Sequence, residues 1–311
     1  MTTTNATNLM NASTQQPPRA SLKSWVMALR PKTLTAALVP IIVATALVKA
    51  HGETVLWWVS ICALFSAFFI QIATNLFNDA IDFKKGADTE KRIGPQRVTQ
   101  SGVMTSRQVM IGGGLCLFVA FLFGVPLVIQ GGWPIVVIGL VSLFLGYAYT
   151  GGPFPLAYKG LGDLFVILFF GLIAVGGTYY LHTGHWSFPA MVAGLQVGCL
   201  ATVLIAVNNL RDAPQDALVH KKTLAVRFGL GFARAEIMIL VIAAFALGVY
   251  WASQDVKLAA ILPIVSFPIA RRLILGVFKN EPSPLFNTFL AMAAALHMFF
   301  GVLLAVGLWM R

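Results

Sequence analysis

Two short stretches of this sequence hold most of its acid. Asn75-Leu-Phe-Asn78-Asp79-Ala-Ile-Asp82, with Asp88 and Glu90 just beyond, and Asn208-Asn209-Leu-Arg211-Asp212-Ala-Pro-Gln-Asp216 contain six of the eleven Asp and Glu residues. The others, Glu53, Asp163, Glu236, Asp255 and Glu281, are scattered. On a helix, Asp79 and Asp82 at i, i+3 and Asp212 and Asp216 at i, i+4 each project from one face. Two such faces set against each other would make a cup of four carboxylates. Carboxylates so close repel and need a counter-charge. For a single pair, salt bridges to local Lys and Arg or a solvated helix end would meet that need. Here the pairs are duplicated, stand beside Asn residues and are followed by basic stretches (KRIGPQR and HKKTLAVRFG). That pattern suits Mg²⁺, a hard cation held by a few carboxylates while it keeps waters and substrate phosphate oxygens. Lys and Arg just beyond would hold the phosphates, Arg as a bidentate fork and Lys as a point charge. The chemistry expected is that of a magnesium diphosphate.

The elements that must carry these residues lie in a bilayer. An average soluble domain is about 45–50% apolar and about 25% charged. This chain of 311 residues is 58% hydrophobic and 11% charged, with a mean hydropathy of +0.81, which excludes a water-soluble globule, a disordered chain and a fibrous protein. Its net charge of +11 does not signal nucleic acid, because a chain this apolar has no room for a basic domain. Hydropathy gives nine candidate spans, roughly 34–50, 56–78, 109–129, 133–149, 161–181, 188–208, 234–252, 257–276 and 286–310. Pro126, Pro263 and Pro268 fall in or near them, where neighbouring helices absorb a kink. With the N-terminus cytoplasmic, nineteen of the 22 Lys and Arg lie on that side, and Lys49, Lys257 and Arg311 lie opposite. The outer connections (HGETV, QGG, HTGHWS, SQDV) are short, and two inner loops, after spans 2 and 6, are long. Those loops follow the two Asp stretches, a weak internal repeat four spans apart that a transporter would also carry. The expectation is an all-α integral membrane protein: one nine-helix bundle over residues 21–311, its active-site cavity facing the cytoplasm, behind a disordered cytoplasmic tail at 1–20.

Other features carry less. Cys62, Cys116 and Cys199 stand singly in apolar runs and read as small packing residues. His182 and His185 share an outer loop away from the carboxylates and do not suggest a metal site. There is no GxxxxGK[ST] phosphate loop. Gly112 to Gly114 and the Gly194, Gly198 pair lie in spans, where close helix packing is the better reading.

At the Asp stretches the sequence resembles the intramembrane aromatic prenyltransferases of the UbiA superfamily, nine-helix bundles with two Asp-rich motifs. Asn78, Asp79 and Asp82 match the first part of the family's NDxxDxxxD; the next position is Gly86, with Asp88 two further on. Asp212 and Asp216 match DxxxD. Within the superfamily the chain is most similar to the branch that prenylates 1,4-dihydroxy-2-naphthoate in menaquinone synthesis. Four stretches carry that likeness: WVMALRPKTL from Trp25, NLFNDAIDFKKGADTEKRIGPQR, YTGGPFPLAYKGLGD and NNLRDAPQDALVHKKTLAVRFG. His220 departs, standing where members commonly have Gly; His does not reach positive φ readily, so the loop's turn is expected to differ.

The resemblance implies transfer of a polyprenyl chain from its diphosphate to the naphthoate ring, with the ring carboxylate lost as CO₂. Charge building on the departing diphosphate must be neutralised by Mg²⁺ and fixed cations, and a dry pocket protects the allylic cation from water. Implied roles follow. Asp79, Asp82, Asp212 and Asp216 hold Mg²⁺, and Asn75, Asn78 and Asn209 orient ligands or bond phosphate oxygens. Arg92, Arg97, Lys221, Lys222 and Arg227 meet the diphosphate, or else serve as positive-inside charge. Tyr149, Tyr158, Lys159 and Asp163 form the acceptor region, where Lys159 meets a carboxylated ring and Tyr158 orients a phenol or faces the cation with its ring. The alternative for these is an interfacial aromatic belt. Arg30 and Lys32 reach the same pocket, or Arg30 binds lipid headgroups. Other superfamily acceptors (4-hydroxybenzoate, homogentisate, a tetrapyrrole, a glycerol phosphate) remain open. So does a secondary transporter, although transporters place their sites near the bilayer midplane and these carboxylates cluster at one face.

Overall fold

The computed structural model describes residues 21–88 and 92–311, without the side chain of Lys32; the expected tail at 1–20 lies outside the described residues, as do Glu90 and Lys91. Among the described residues there is no strand. A chain in hydrocarbon must satisfy every backbone N–H and C=O internally, which helices do. The helices are α1 (Leu22–Leu29), α2 (Thr35–Ala50), α3 (Trp57–Lys84), α4 (Ser106–Gly131), α5 (Trp133–Ala148), α6 (Gly162–Thr183), α7 (Phe188–Leu218), α8 (Leu224–Ser253), α9 (Lys257–Lys279) and α10 (Phe286–Trp309). Among the described residues seven, α3, α4 and α6 to α10, are long and apolar enough to cross a membrane, so the protein is a multi-pass membrane protein. The apolar helices α2 and α5 have 16 residues each. At about 1.5 Å per residue they run about 24 Å, short of a hydrocarbon core of about 30 Å.

The Asp stretches lie on the two longest helices. α3 has 28 residues and α7 has 31, and both continue past the expected span ends at 78 and 208. Lengths of about 42 and 46 Å overrun the hydrocarbon by several turns, and Asp79, Asp82, Asp212 and Asp216 ride on the overrun. Both helices close with the same cap. Gly86 (φ 73) donates to the Phe83 carbonyl at 3.1 Å and Ala87 to the Asp82 carbonyl at 2.9 Å. His220 (φ 56) donates to Ala217 at 3.4 Å and Lys221 to Asp216 at 2.9 Å. Each is a left-handed residue followed by a bond reaching back five residues, the Schellman arrangement. His220 therefore keeps the turn that Gly would make, a correction to the expected difference, and the repeat extends to the helix caps.

α7 is the central helix: 83% of its most apolar window is buried, against 22–44% for the other long helices. Its Gly194 and Gly198 meet Gly171 of α6 backbone to backbone; a Cβ on Gly198 would lie 2.8 Å from the Ile167 carbonyl oxygen and 3.1 Å from Gly171 Cα. This is the close packing expected of small residues in membrane helices. α6 is π-helical over Ile167–Ile173, at this crossing.

Candidate active site

A cavity of about 630 Å³ opens among α2 to α7, polar at the end bearing the Asp stretches and apolar elsewhere. Arg30, Asn75, Asn78, Asp82, Arg97 and Lys221 line the polar end; Pro40, Phe121, Leu140, Phe169 and Leu181 line the bore. Lining residues on α6 run from Gly162 to Leu181, so the bore follows that helix for about 28 Å at 1.5 Å per residue.

The first carboxylate pair divides its work. Asp79 is buried and holds a loop: its oxygens accept from the Val98 amide at 3.2 Å, the Thr99 amide at 3.1 Å and the Thr99 hydroxyl. Asp82, one turn on, lines the cavity and accepts from the Tyr158 hydroxyl at 2.8 Å. Asn75 donates to the Leu29 carbonyl and the Thr33 hydroxyl, both at 3.0 Å, so it secures the link between α1 and α2. Asn78 accepts from the Thr150 hydroxyl. Asp88, which the motif left unplaced, is buried against Arg92 and lies 3.3 Å from Arg97 Nε. Burial pushes its carboxyl up to about 6, while Arg92 pulls the other way.

In the second pair Asp212 is gripped by its own neighbour. Arg211, 1% exposed, donates through Nε and Nη2 to the two Asp212 oxygens, each at 2.7 Å. Asp216 pairs with Lys221 Nζ at 3.3 Å, and its Oδ2 is buried without a hydrogen-bond partner. Burial alone would lower the Lys221 ammonium, but Asp216, Asp82 and Asp212 outweigh it and hold Lys221 above the usual lysine range. Asn209 is buried and lines the cavity.

The remaining expected residues separate. Arg30 lines the cavity with its Nη2 buried and without a partner; burial lowers its guanidinium to about 10, still a cation at neutral pH. Arg97 also lines it, its Nε and Nη1 without hydrogen-bond partners. Tyr149 lines it too, its hydroxyl against Gly162, beside Asp163, whose Oδ1 is a buried atom without a partner. Tyr158 has two ammonium groups near its ring, Lys85 Nζ at 4.1 Å and Lys221 Nζ at 5.8 Å from the centroid. Burial and Asp82 push its hydroxyl above the usual range, so it remains a donor. Four expected cations stand outside the lining; the first, Arg92, is held by Asp88 and by the Pro95 carbonyl at 3.1 Å. Lys159 is exposed, with Nζ over the Phe154 ring at 5.3 Å, and is not in the cavity lining. The tight turn Leu156–Lys159 sends Tyr158 to Asp82 and the next side chain elsewhere. Exposed Arg227 donates to the carbonyls of Lys222 at 3.1 Å and Lys159 at 2.8 Å, joining two loops, and Lys222 is exposed. Lys85, Thr99, Thr150, Arg211 and Asn287 belong to the site's network although sequence reasoning gave them no role; Lys85 follows Asp82 by three residues, the one signal available.

Among the described residues no three His, Cys, Asp or Glu side chains cluster closely enough to hold a metal ion. The expected cup of four carboxylates is thus corrected: Arg211, Lys221 and the Val98–Thr99 turn already compensate three of them, as buried charge requires. The donors still fit Mg²⁺ arriving with a phosphate ligand, since that ion uses one or two carboxylates plus substrate oxygens. Asp82 faces the cavity, and Asp216, whose Oδ2 is an orphaned acceptor, stands behind the cavity-lining Lys221.

An all-α membrane bundle whose two Asp-bearing helix ends meet at the polar mouth of an apolar bore is the architecture of an intramembrane prenyltransferase. Residues 37–293 match the UbiA prenyltransferase family, and the chain belongs to it. It is 33% identical over 300 residues to the 1,4-dihydroxy-2-naphthoate octaprenyltransferase of Haemophilus influenzae, covering 92% of this chain and 96% of that protein. To the enzyme of the same name from Bacillus subtilis it is 32% identical over 286 residues, 90% of each chain. Its fold matches that of a UbiA homolog from Archaeoglobus fulgidus bound to DMAPP and Mg²⁺, with a TM-score of 0.57 and 17% identity over 91% of this chain and 99% of that one.

Proposed function

We propose that this prenyltransferase moves a polyprenyl group from polyprenyl diphosphate to 1,4-dihydroxy-2-naphthoate, with decarboxylation, giving CO₂, diphosphate and the hydroquinone form of a demethylmenaquinone. The observation that carries the reading is the cavity itself: about 28 Å long beside α6, charged at one end, where residues of both Asp stretches line it, and apolar towards the other. The relatives' names supply the acceptor.

Asp82 and Asp216 are the residues that would hold Mg²⁺, with Asp79 and Asp212 building the frame around them. Held there with the diphosphate, Mg²⁺ would supply positive charge against the negative charge that grows as the allylic C–O bond breaks. Arg97 and Lys221 take the diphosphate oxygens, and Asn78 and Asn209 flank them. Arg30, whose Nη2 is without a partner, receives the carboxylate of the aromatic acid in the cavity that Tyr149 and Asp163 also line. The ring's electron pair forms the new C–C bond to the allylic carbon, and the carboxylate leaves as CO₂. Tyr158 holds Asp82 in place, and the apolar walls exclude water from the cation. All nine apolar helices, α2 and α5 included, span the bacterial cytoplasmic membrane, with the N-terminus and the polar mouth inside and the C-terminus outside. Nineteen of 22 basic residues fall on the inner side in that orientation.

Membranes carrying the chain, incubated with labelled polyprenyl diphosphate and a panel of aromatic acids, should form a magnesium-dependent product with the naphthoate. Asp82→Ala and Asp216→Ala should lose it while inserting normally. Preference for another acid would move the chain to a different branch of the family; near-normal transfer by either variant would remove the metal assignment.

A further inference from the structure

Arg211 and Asn287 are 76 residues apart and neither was a candidate ligand. The Arg211 guanidinium is fully engaged: besides both Asp212 oxygens it reaches Asn208 Oδ1 through Nη2 and Asn287 Oδ1 through Nη1, each at 2.7 Å. Its planar fork, directed at four acceptors, has no freedom to turn. Asn287, near the start of α10, uses the other end of its amide to donate from Nδ2 to the Ile93 carbonyl at 3.2 Å. The next residue, Gly94, lies directly on the guanidinium: a Cβ there would be 2.6 Å from Arg211 Nη2 and 3.0 Å from Arg92 Nη2. The loop from Arg92 to Thr99 is therefore pinned twice, at Val98 and Thr99 by Asp79 and at Ile93 and Gly94 by the Asn287–Arg211 pair. Between the pins stands Arg97, which faces the cavity.

We propose that Arg211 and Asn287 are positioning residues, a clasp that fixes the loop carrying Arg92 and Arg97 against the polar end of the cavity. Through it Arg211 and Asn287, neither of which lines the cavity, act on the substrate without touching it. Gly94 is required because only a residue without Cβ lets the loop seat on the guanidinium. Arg is required at 211 because an ammonium cannot bond both carboxylate oxygens and two amides in one plane. That the loop then serves the diphosphate rests on the function proposed above.

The full chain in lipid nanodiscs, without substrate, is compared with Asn287→Ala, Asn287→Asp and Gly94→Ala by amide hydrogen exchange. Exchange over residues 93–99 should rise several-fold in all three, with α3 and α7 unchanged. The Asp variant is informative because it keeps the acceptor for Arg211 and loses only the donor to Ile93. In the same variants KM for polyprenyl diphosphate should rise about ten-fold with kcat little altered, the signature of lost binding rather than lost chemistry. Unchanged exchange in Asn287→Ala and Gly94→Ala overturns the clasp. Raised exchange with an unchanged KM upholds the clasp and overturns instead the placing of Arg97 at the diphosphate.

Discussion

At the scale of single residues, the site works by compensating charge. Asp79 is satisfied by backbone amides, Asp82 by a phenol, Asp212 by a bidentate guanidinium and Asp216 by an ammonium. Tyr158→Phe removes a hydrogen bond to a charged group, an interaction worth about 1.5–3 kcal/mol when buried. Tyr158 is only half-buried, so kcat/KM is expected to fall about ten-fold in steady-state transfer assays. Lys159→Ala should leave the KM for the aromatic acid within about a factor of two, since the side chain points away from the cavity. His220 holds φ 56. Residues with a Cβ are disfavoured there by about 1–2 kcal/mol, so His220→Gly should stabilise the protein by about 1 kcal/mol, read as a higher midpoint of thermal unfolding. The Asp, Asn and Tyr types were legible in the sequence because their chemistry is uncommon in an apolar chain. Their partners were not: an Arg beside an Asp, or an Asn at a helix start, has nothing in its local pattern to mark it.

At the scale of elements, the helices were legible and their ends were not. Hydropathy stops counting at Asn75–Asp79 and Asn208–Asp212, yet α3 continues to Lys84 and α7 to Leu218. The helix persists because its polar residues find partners across the bundle, which no window average registers. The repeat four spans apart became more definite in three dimensions, where both helices close with the same left-handed cap. The α6–α7 crossing makes a sharp prediction. Gly198→Ala puts a Cβ 2.8 Å from a backbone oxygen and should destabilise by about 1–3 kcal/mol, the usual cost of overpacking. Gly114→Ala, with nothing within 4 Å of its Cβ, should be neutral or stabilise by up to about 1 kcal/mol through helix propensity. Thermal unfolding of the two variants in nanodiscs compares them directly.

At the scale of the whole molecule, the function proposed above makes the bore the limit on which donors fit. Gly139 lines it on α5 and has open space where a Cβ would stand. Gly139→Trp should fill part of the bore and lower kcat/KM for an octaprenyl donor about ten-fold relative to dimethylallyl diphosphate, measured as competing transfers in one membrane preparation. The sequence by itself determined the solvent, the helical class, the basic asymmetry of the loops, the two Asp stretches and the family, because each is written in composition or in residues a few positions apart. Only the tertiary structure decided which of those residues share the cavity. It brought Arg30, Asp82, Arg97, Tyr149 and Lys221 to its polar end, turned Lys159 and Arg227 away, and added Arg211 and Asn287. The physical reason is that a buried charge takes its partner from whichever helix or loop packs beside it, and packing joins residues as far apart as 93 and 287.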